Sequence, residues 1–235
     1  MNEQHIMAQI HDSILKGRFQ TTCWQTDSGK KCQPGVSELI KQSLQRKMSA
    51  PLISSDALDR AMDDSLDKFI SGEYNVPDLV TRAKYTSQAR EMLKEKAGAS
   101  ASLNKGKFIL ASIAGEYHRH GMDIVSGLLK GIGFNTIELG LGVPGPEIVR
   151  CVKENKPDFL GISGSTFSTI PLIQDLTHQL VQTGCRDNVT LVLGGYLALT
   201  ESPESLGVDY CCHNITETID LLKDLANSTD YVVLN

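Results

Sequence analysis

The residues best equipped for chemistry lie in three short stretches, each placed at the end of an apolar run. Glu116-Tyr117-His118-Arg119-His120-Gly121 follows Phe108-Ile109-Leu110-Ala111-Ser112-Ile113 and leads through Met122 and Ile124 into an amphipathic run. It packs an imidazole, a carboxylate and a glycine into one loop, with His118 as the candidate metal ligand. Ser163-Gly164-Ser165-Thr166-Phe167-Ser168-Thr169 supplies consecutive hydroxyls, which adjust as donors or acceptors. Gly194-Gly195-Tyr196 supplies bare backbone, so that a bulky ligand meets no Cβ there.

Competing chemistries lack their motifs. No G-x-G-x-x-G follows the first apolar run, and Gly131-Ile132-Gly133 comes after a helical pattern, where it reads as a turn. A Walker A loop is also missing, so nicotinamide and nucleotide-hydrolysis readings lose their support. Cys211-Cys212-His213 ends a buried run and reads as packing. Cys23 and Cys32 are spaced too widely for a zinc knuckle, and no second pair is near. His120 sits one residue from Arg119 and two from His118, and is expected in solvent.

These stretches need elements to position them. After Lys107 the chain alternates strand and helix patterns, with strands expected over 108–113, 136–139, 159–163, 190–193 and 208–211. Helices are expected over 122–130, 145–154, 170–183, 201–206 and 216–226. Short apolar strands joined by crossover helices mean a doubly wound parallel sheet. Five strands suit the flavodoxin-like, Rossmann-like order, which brings the three stretches to the carboxyl ends of neighbouring strands.

The first part of the chain reads as a four-helix bundle. Its apolar stripes are Ile6/Ile10/Ile14, Val36/Leu39/Ile40/Leu44, Leu58/Met62/Leu66/Phe69 and a run opening at Pro77, with Ser54 and Ser55 as capping candidates. The connection from Arg18 to Pro34 is long for a bundle and is expected to be a functional or mobile loop with Trp24 plugged onto the helices. Residues 97–106 have a linker's composition, giving a helical cap (1–96), a linker (97–106) and an α/β domain (107–235).

A net charge of −5 argues against nucleic-acid binding. No apolar run approaches the roughly 18 residues that span a bilayer. The first residues have no secretory pattern. Six scattered cysteines then read as reduced thiols of a cytoplasmic protein.

With these residues assembled, the second half resembles the cobalamin-binding module of methionine synthase and of corrinoid carrier proteins. That family carries Asp-x-His-x-x-Gly, then Ser-x-Leu, then Gly-Gly. The matching residues here are Glu116 to Gly121, Ser163-Gly164-Ser165 and Gly194-Gly195. Two departures stand out: Glu116 replaces aspartate, and Ser165 replaces leucine; Phe167 also stands where a hydroxyl meets the cofactor's tail. The resemblance implies cobalamin bound base-off with His118 as lower ligand to cobalt, Glu116 as its orienter and Thr169 as the hydroxyl ending the relay. It implies that Ser163, Gly194 and Gly195 line a slot for the nucleotide tail, that Asn214 closes it, and that Tyr117, Arg119, Met122, Ile124 and Tyr196 lie close by. It also implies a methyl carrier without catalytic residues of its own. Its partners would be a substrate-specific methyltransferase, a methyl-acceptor methyltransferase and a reductive activase, in a methanol, methylamine or O-demethylase system. A cobalamin-dependent light or redox sensor is the alternative.

Overall fold

Ile6, Ile10 and Ile14 recur every four residues, and that spacing buries all three along one face of α1 (Glu3–Leu15). Asn2 caps the start of α1 by accepting from the Gln4 amide, and Gly17, at positive φ, follows its end. The second stripe forms α2 (Val36–Gln45). The third spans α3 (Ala50–Ile53), a π-helical stretch (Ser54–Asp59) and α4 (Arg60–Ile70). The fourth is α5 (Val76–Ala97). Apolar residues of all of these, among them Ile10, Leu39, Leu58 and Leu93, meet in one cluster. The expected serine cap is displaced. The third helical run already opens at Ala50 with Pro51 in its first turn, and Ser54 lies inside the π-helical stretch, accepting from the buried Arg90 guanidinium at 2.6 Å.

The computed structural model describes residues 2–97 and 105–227. They divide into one unit covering Met1–Asn104 with Lys130–Gly133 and a second covering Lys105–Leu129 with Phe134–Asn235. Most of the expected linker, residues 98–104, lies outside the described residues.

Between α1 and α2 the long connection is neither irregular nor plugged onto the helices. It is an antiparallel hairpin, β1 (Thr22–Thr26) and β2 (Gly29–Gln33), closed by a turn with Gly29 at positive φ. Cys23 stands directly opposite Cys32, and the two form a disulfide. This corrects the reading of six reduced thiols; Cys151, Cys185, Cys211 and Cys212 are free. Trp24 is 41% exposed on the hairpin instead of packed onto the bundle. The Asp27-Ser28 tip supplies the turn that brings two distant-looking cysteines together. A cross-link closing a loop this short contributes about 2–3 kcal/mol to the closed hairpin. Reductant is therefore expected to expose Lys30 and Lys31 to trypsin within minutes while helical circular dichroism stays unchanged. Equal cleavage with and without reductant would count against the cross-link.

In the second unit, β3 (Lys107–Ile113), β4 (Asn135–Val143), β5 (Phe159–Ser163), β6 (Thr190–Gly194) and β7 (Tyr210–Cys211) form one parallel sheet in the order β4-β3-β5-β6-β7. This is the flavodoxin-like arrangement, with the first and third strands of the sheet side by side. The connecting helices are α6 (His120–Ile132), α7 (Gly145–Asn155), α8 (Ile170–Gln182), the short α9 (Pro203–Leu206) and, last, α10 (Ile215–Asn227). β4 runs past its expected end at Leu139, with a shifted register and positive φ at Gly140 and Gly142. β7 begins two residues later than expected, because the Val208 amide bonds to the Pro203 carbonyl instead.

Strand periodicity divides this sheet's side chains into two sets. Ile109, Ala111, Leu160, Ile162, Leu191 and Leu193 pack with Ile148, Val152, Ile173 and Leu176 of α7 and α8. The alternate set is Phe108, Leu110, Phe159, Gly161, Ser163, Val192 and Gly194, on the other face. That face carries the site.

Candidate functional site

Glu116 is held by its backbone before its side chain does anything. Its N–H donates to the Ile113 carbonyl at 2.9 Å, and its carbonyl accepts from the Gly142 N–H at 3.0 Å. The carboxylate is fully buried, and its Oε1 accepts from both the His118 backbone N–H at 2.8 Å and His118 Nδ1 at 2.6 Å. The imidazole itself is 81% exposed. An ionised carboxylate can only accept, so the neutral ring carries its hydrogen on Nδ1 and leaves the lone pair on Nε2. Burial pushes the Glu116 carboxyl up. Hydrogen bonds from the His118 N–H, the Ser165 hydroxyl and the His118 ring outweigh it, and hold the group below the usual carboxylate range. The geometry therefore supplies one oriented imidazole with a free ligating nitrogen, which is what a transition metal already held in a macrocycle requires.

The hydroxyl expected behind this pair bonds within its own loop. Thr169 is buried and its Oγ1 donates to the Thr166 carbonyl at 2.7 Å, inside its own loop. Ser165 supplies the neighbouring hydroxyl. Glu116 Oε2 is buried without a hydrogen-bond partner, and the Ser165 hydroxyl adds to the His118 bonds that hold the carboxyl ionised. Ser165→Ala is expected to weaken imidazole-oriented ligand binding by roughly threefold to tenfold, because it removes one hydrogen bond to a charged group. A titration with hydroxocobalamin checks this, and an unchanged affinity would remove Ser165 from the relay.

Beside His118 a cavity of about 530 Å³ opens on the sheet face defined above. Phe108, Leu110, Gly161, Ser163, Val192 and Gly194 floor it, and Met122, Ile124 and Val125 of α6 line it together with Thr218, Leu221 and Leu222 of α10. Leu110, Gly161 and Val192 stand in register on three adjacent strands. A Cβ at Gly161 would come within 2.7 Å of Leu110 and 2.9 Å of Phe108, so the missing side chain lets those two side chains pack across the middle strand. Phe108 is backed by the Phe134 and Phe159 rings. Gly195 has φ +91, and a Cβ there would lie 2.5 Å from the Gly164 carbonyl oxygen; only glycine brings the two loops together. The result is an apolar slot with hydroxyls and imidazole at its mouth.

The structure brings most of the expected residues to this slot. His118, Gly121, Met122, Ile124 and Ser163 line it, as do Ser165, Gly194, Gly195, Tyr196 and Asn214. Tyr117 and Phe167 are 70% and 62% exposed; Tyr117 packs over Gly142, and Phe167 meets Tyr196 edge-on. Arg119 is tied to Asp123 at 3.1 Å on the surface, and His120 is exposed at the start of α6. The sequence reading missed Gly161, Val192 and Leu222, although the period of two fixed by Ser163 and Gly194 points back to the first two. It also assigned His213 to packing. Cys212 is buried, but His213 is exposed and both line the slot.

Comparison with known proteins agrees with this geometry. The sequence model of the B12 binding domain family matches residues 106–223. A dimethylamine corrinoid protein of Methanosarcina barkeri is 24% identical over 227 residues, covering 96% of this chain and 99% of its own. Dimethylamine corrinoid protein 1 of Methanosarcina acetivorans is 29% identical over 158 residues, covering 67% of this chain and 74% of its own. Among solved structures, the methanol:cobalamin methyltransferase complex of Methanosarcina barkeri superposes with a TM-score of 0.77 at 19% identity, over 97% of this chain and 82% of that one. A cobalamin-binding protein from Desulfitobacterium hafniense superposes with a TM-score of 0.68 at 21% identity, covering 95% of this chain and 98% of that one. No helix among the described residues is long and apolar enough to cross a membrane. The chain belongs to the B12 binding domain family, and its cofactor is cobalamin.

Proposed function

We propose that this protein is a corrinoid methyl carrier that holds cobalamin base-off, with His118 as the lower ligand, between two methyltransferases. The observation that carries the reading is the Glu116-clamped imidazole at the mouth of an apolar slot. Bound cobalamin would supply a cobalt centre that accepts and releases a methyl group. His118 would offer Nε2 to the metal, with Glu116 keeping the hydrogen at Nδ1 and Ser165 helping to keep Glu116 ionised. The apolar walls from Phe108 to Val192 exclude water and suit a flat aromatic base.

Methyl donor and acceptor chemistry would fall to partners: a substrate-specific methyltransferase, a methyl-acceptor methyltransferase and a reductive activase. The relatives' names, dimethylamine corrinoid proteins, favour a methylamine donor system.

Mixing the purified protein with hydroxocobalamin and desalting is expected to leave about one corrinoid per chain. A corrinoid-free protein would end the reading. Loaded protein, supplied with reductant, a methylamine and its methyltransferase, should then take up the methyl group. If it does not, and instead changes its association on illumination, the protein is a sensor.

A further inference from the structure

The Glu116–His118 arrangement occurs a second time on the same cavity. Glu217 Oε2 accepts from the His213 backbone N–H at 3.1 Å and from His213 Nδ1 at 2.6 Å, as Glu116 Oε1 does for His118. Glu217 is fixed in turn. Its other oxygen accepts from Asn214 Nδ2 at 2.8 Å, and its backbone N–H donates to Asn214 Oδ1 at 2.9 Å. The bond from the His213 ring leads the causes that keep the Glu217 carboxyl below the usual range. Asn214 therefore spends both ends of its amide on Glu217. What the trio presents to the cavity is the His213 ring, oriented through Nδ1 with Nε2 left over.

The location narrows what that nitrogen meets. His213 follows β7, at the carboxyl end of the sheet, where the mouth lies with Ser163, Gly194 and His118. The Phe108 end of the slot is aromatic and apolar. The aromatic and apolar end would suit the base of a nucleotide tail, and the polar mouth would suit its sugar and phosphate. A polar contact is needed there, and His213 is held in place for it by the Glu217 carboxylate, with a ring nitrogen to spare where Asn214 spends both ends of its amide.

We infer that His213, positioned by Glu217 and Asn214, binds the ribose–phosphate segment of the corrinoid's nucleotide tail and so selects complete cobalamin over tail-less corrinoids. The inference rests on the corrinoid reading above. It assigns a role in cofactor selection to residues outside the metal-ligand loop.

The test compares cobalamin with cobinamide, which lacks the nucleotide, in spectroscopic titrations of the full chain. Wild-type protein is expected to prefer cobalamin by tenfold or more. His213→Ala should lose about tenfold in cobalamin affinity and less than twofold for cobinamide. His213→Gln, whose amide reaches the position of Nε2, should recover part of the loss. Alkylation of Cys212 adds a readout independent of colour: cobalamin should protect the thiol in wild-type protein, and less so in His213→Ala at the same concentration. If wild-type protein binds neither corrinoid, the corrinoid reading and this one fail together. If it binds cobalamin preferentially and His213→Ala keeps that preference, or loses both corrinoids equally, this inference alone is overturned.

Discussion

Replacing His118 with alanine is expected to abolish nitrogen splitting of the cobalt(II) signal in the loaded protein while leaving the fold intact. The two halves of this expectation have different causes. The ring is 81% exposed and belongs to no core cluster, so its loss removes little packing. Its one strong bond goes to Glu116 Oε1, which keeps the His118 backbone N–H at 2.8 Å as a donor. The destabilisation is then about 1.5–3 kcal/mol, the size of one hydrogen bond to a charged group. At the metal, by contrast, the change is complete, because no other imidazole shares the loop position: His120 lies at the start of α6, and His213 is tied to Glu217 after β7. Electron paramagnetic resonance of the reduced complex reads the axial nitrogen directly. Unchanged splitting in the alanine variant would remove His118 from the cobalt and leave His213 as the next residue to test.

Much of this site was legible because strand periodicity and loop position are sequence properties. Phe108–Ile113 and Phe159–Ser163 are apolar runs that end in polar loops, and a parallel sheet places such loops together. The glycine pair was legible for a related reason: a φ of +91 at Gly195, and contact with the Gly164 carbonyl, demand glycine. What stayed hidden depended on side-chain direction. Thr169 and Ser165 both carry hydroxyls in one loop, and spacing cannot say which one turns toward Glu116 and which bonds its own backbone at Thr166. His213 looked like the end of a buried strand because Cys211 and Cys212 precede it. Its partner four residues on, Glu217, was the available signal, since that spacing suits the first turn of a helix. The hairpin was missed for another reason. Trp24 to Gln33 has no apolar alternation, so nothing marked it as strand, and a disulfide rather than a core holds it.

Glu116→Gln is expected to lower the affinity for hydroxocobalamin in the imidazole-bound form by about 10–100-fold, the range for removing the orienting partner of a metal-ligating histidine. The amide oxygen can still accept from His118, so the ring keeps its direction; the loss is the negative charge that favours a proton on Nδ1 and a basic Nε2. Glu116 and Ser165 both depart from the motif the chain resembles, and the Ser165 hydroxyl is among the groups that lower the Glu116 carboxyl. The hydroxyl at 165 helps hold the Glu116 carboxyl ionised, which a leucine would not do. A double-mutant cycle tests this directly. If the two residues act as a unit, Glu116→Gln combined with Ser165→Ala should cost no more than Glu116→Gln alone, because the serine acts only through the charge. Fully additive losses, about 30-fold to 1000-fold together, would mean that Ser165 contacts the cofactor by itself. In that case the glutamate stands as an isolated substitution, and the relay ends at the carboxylate.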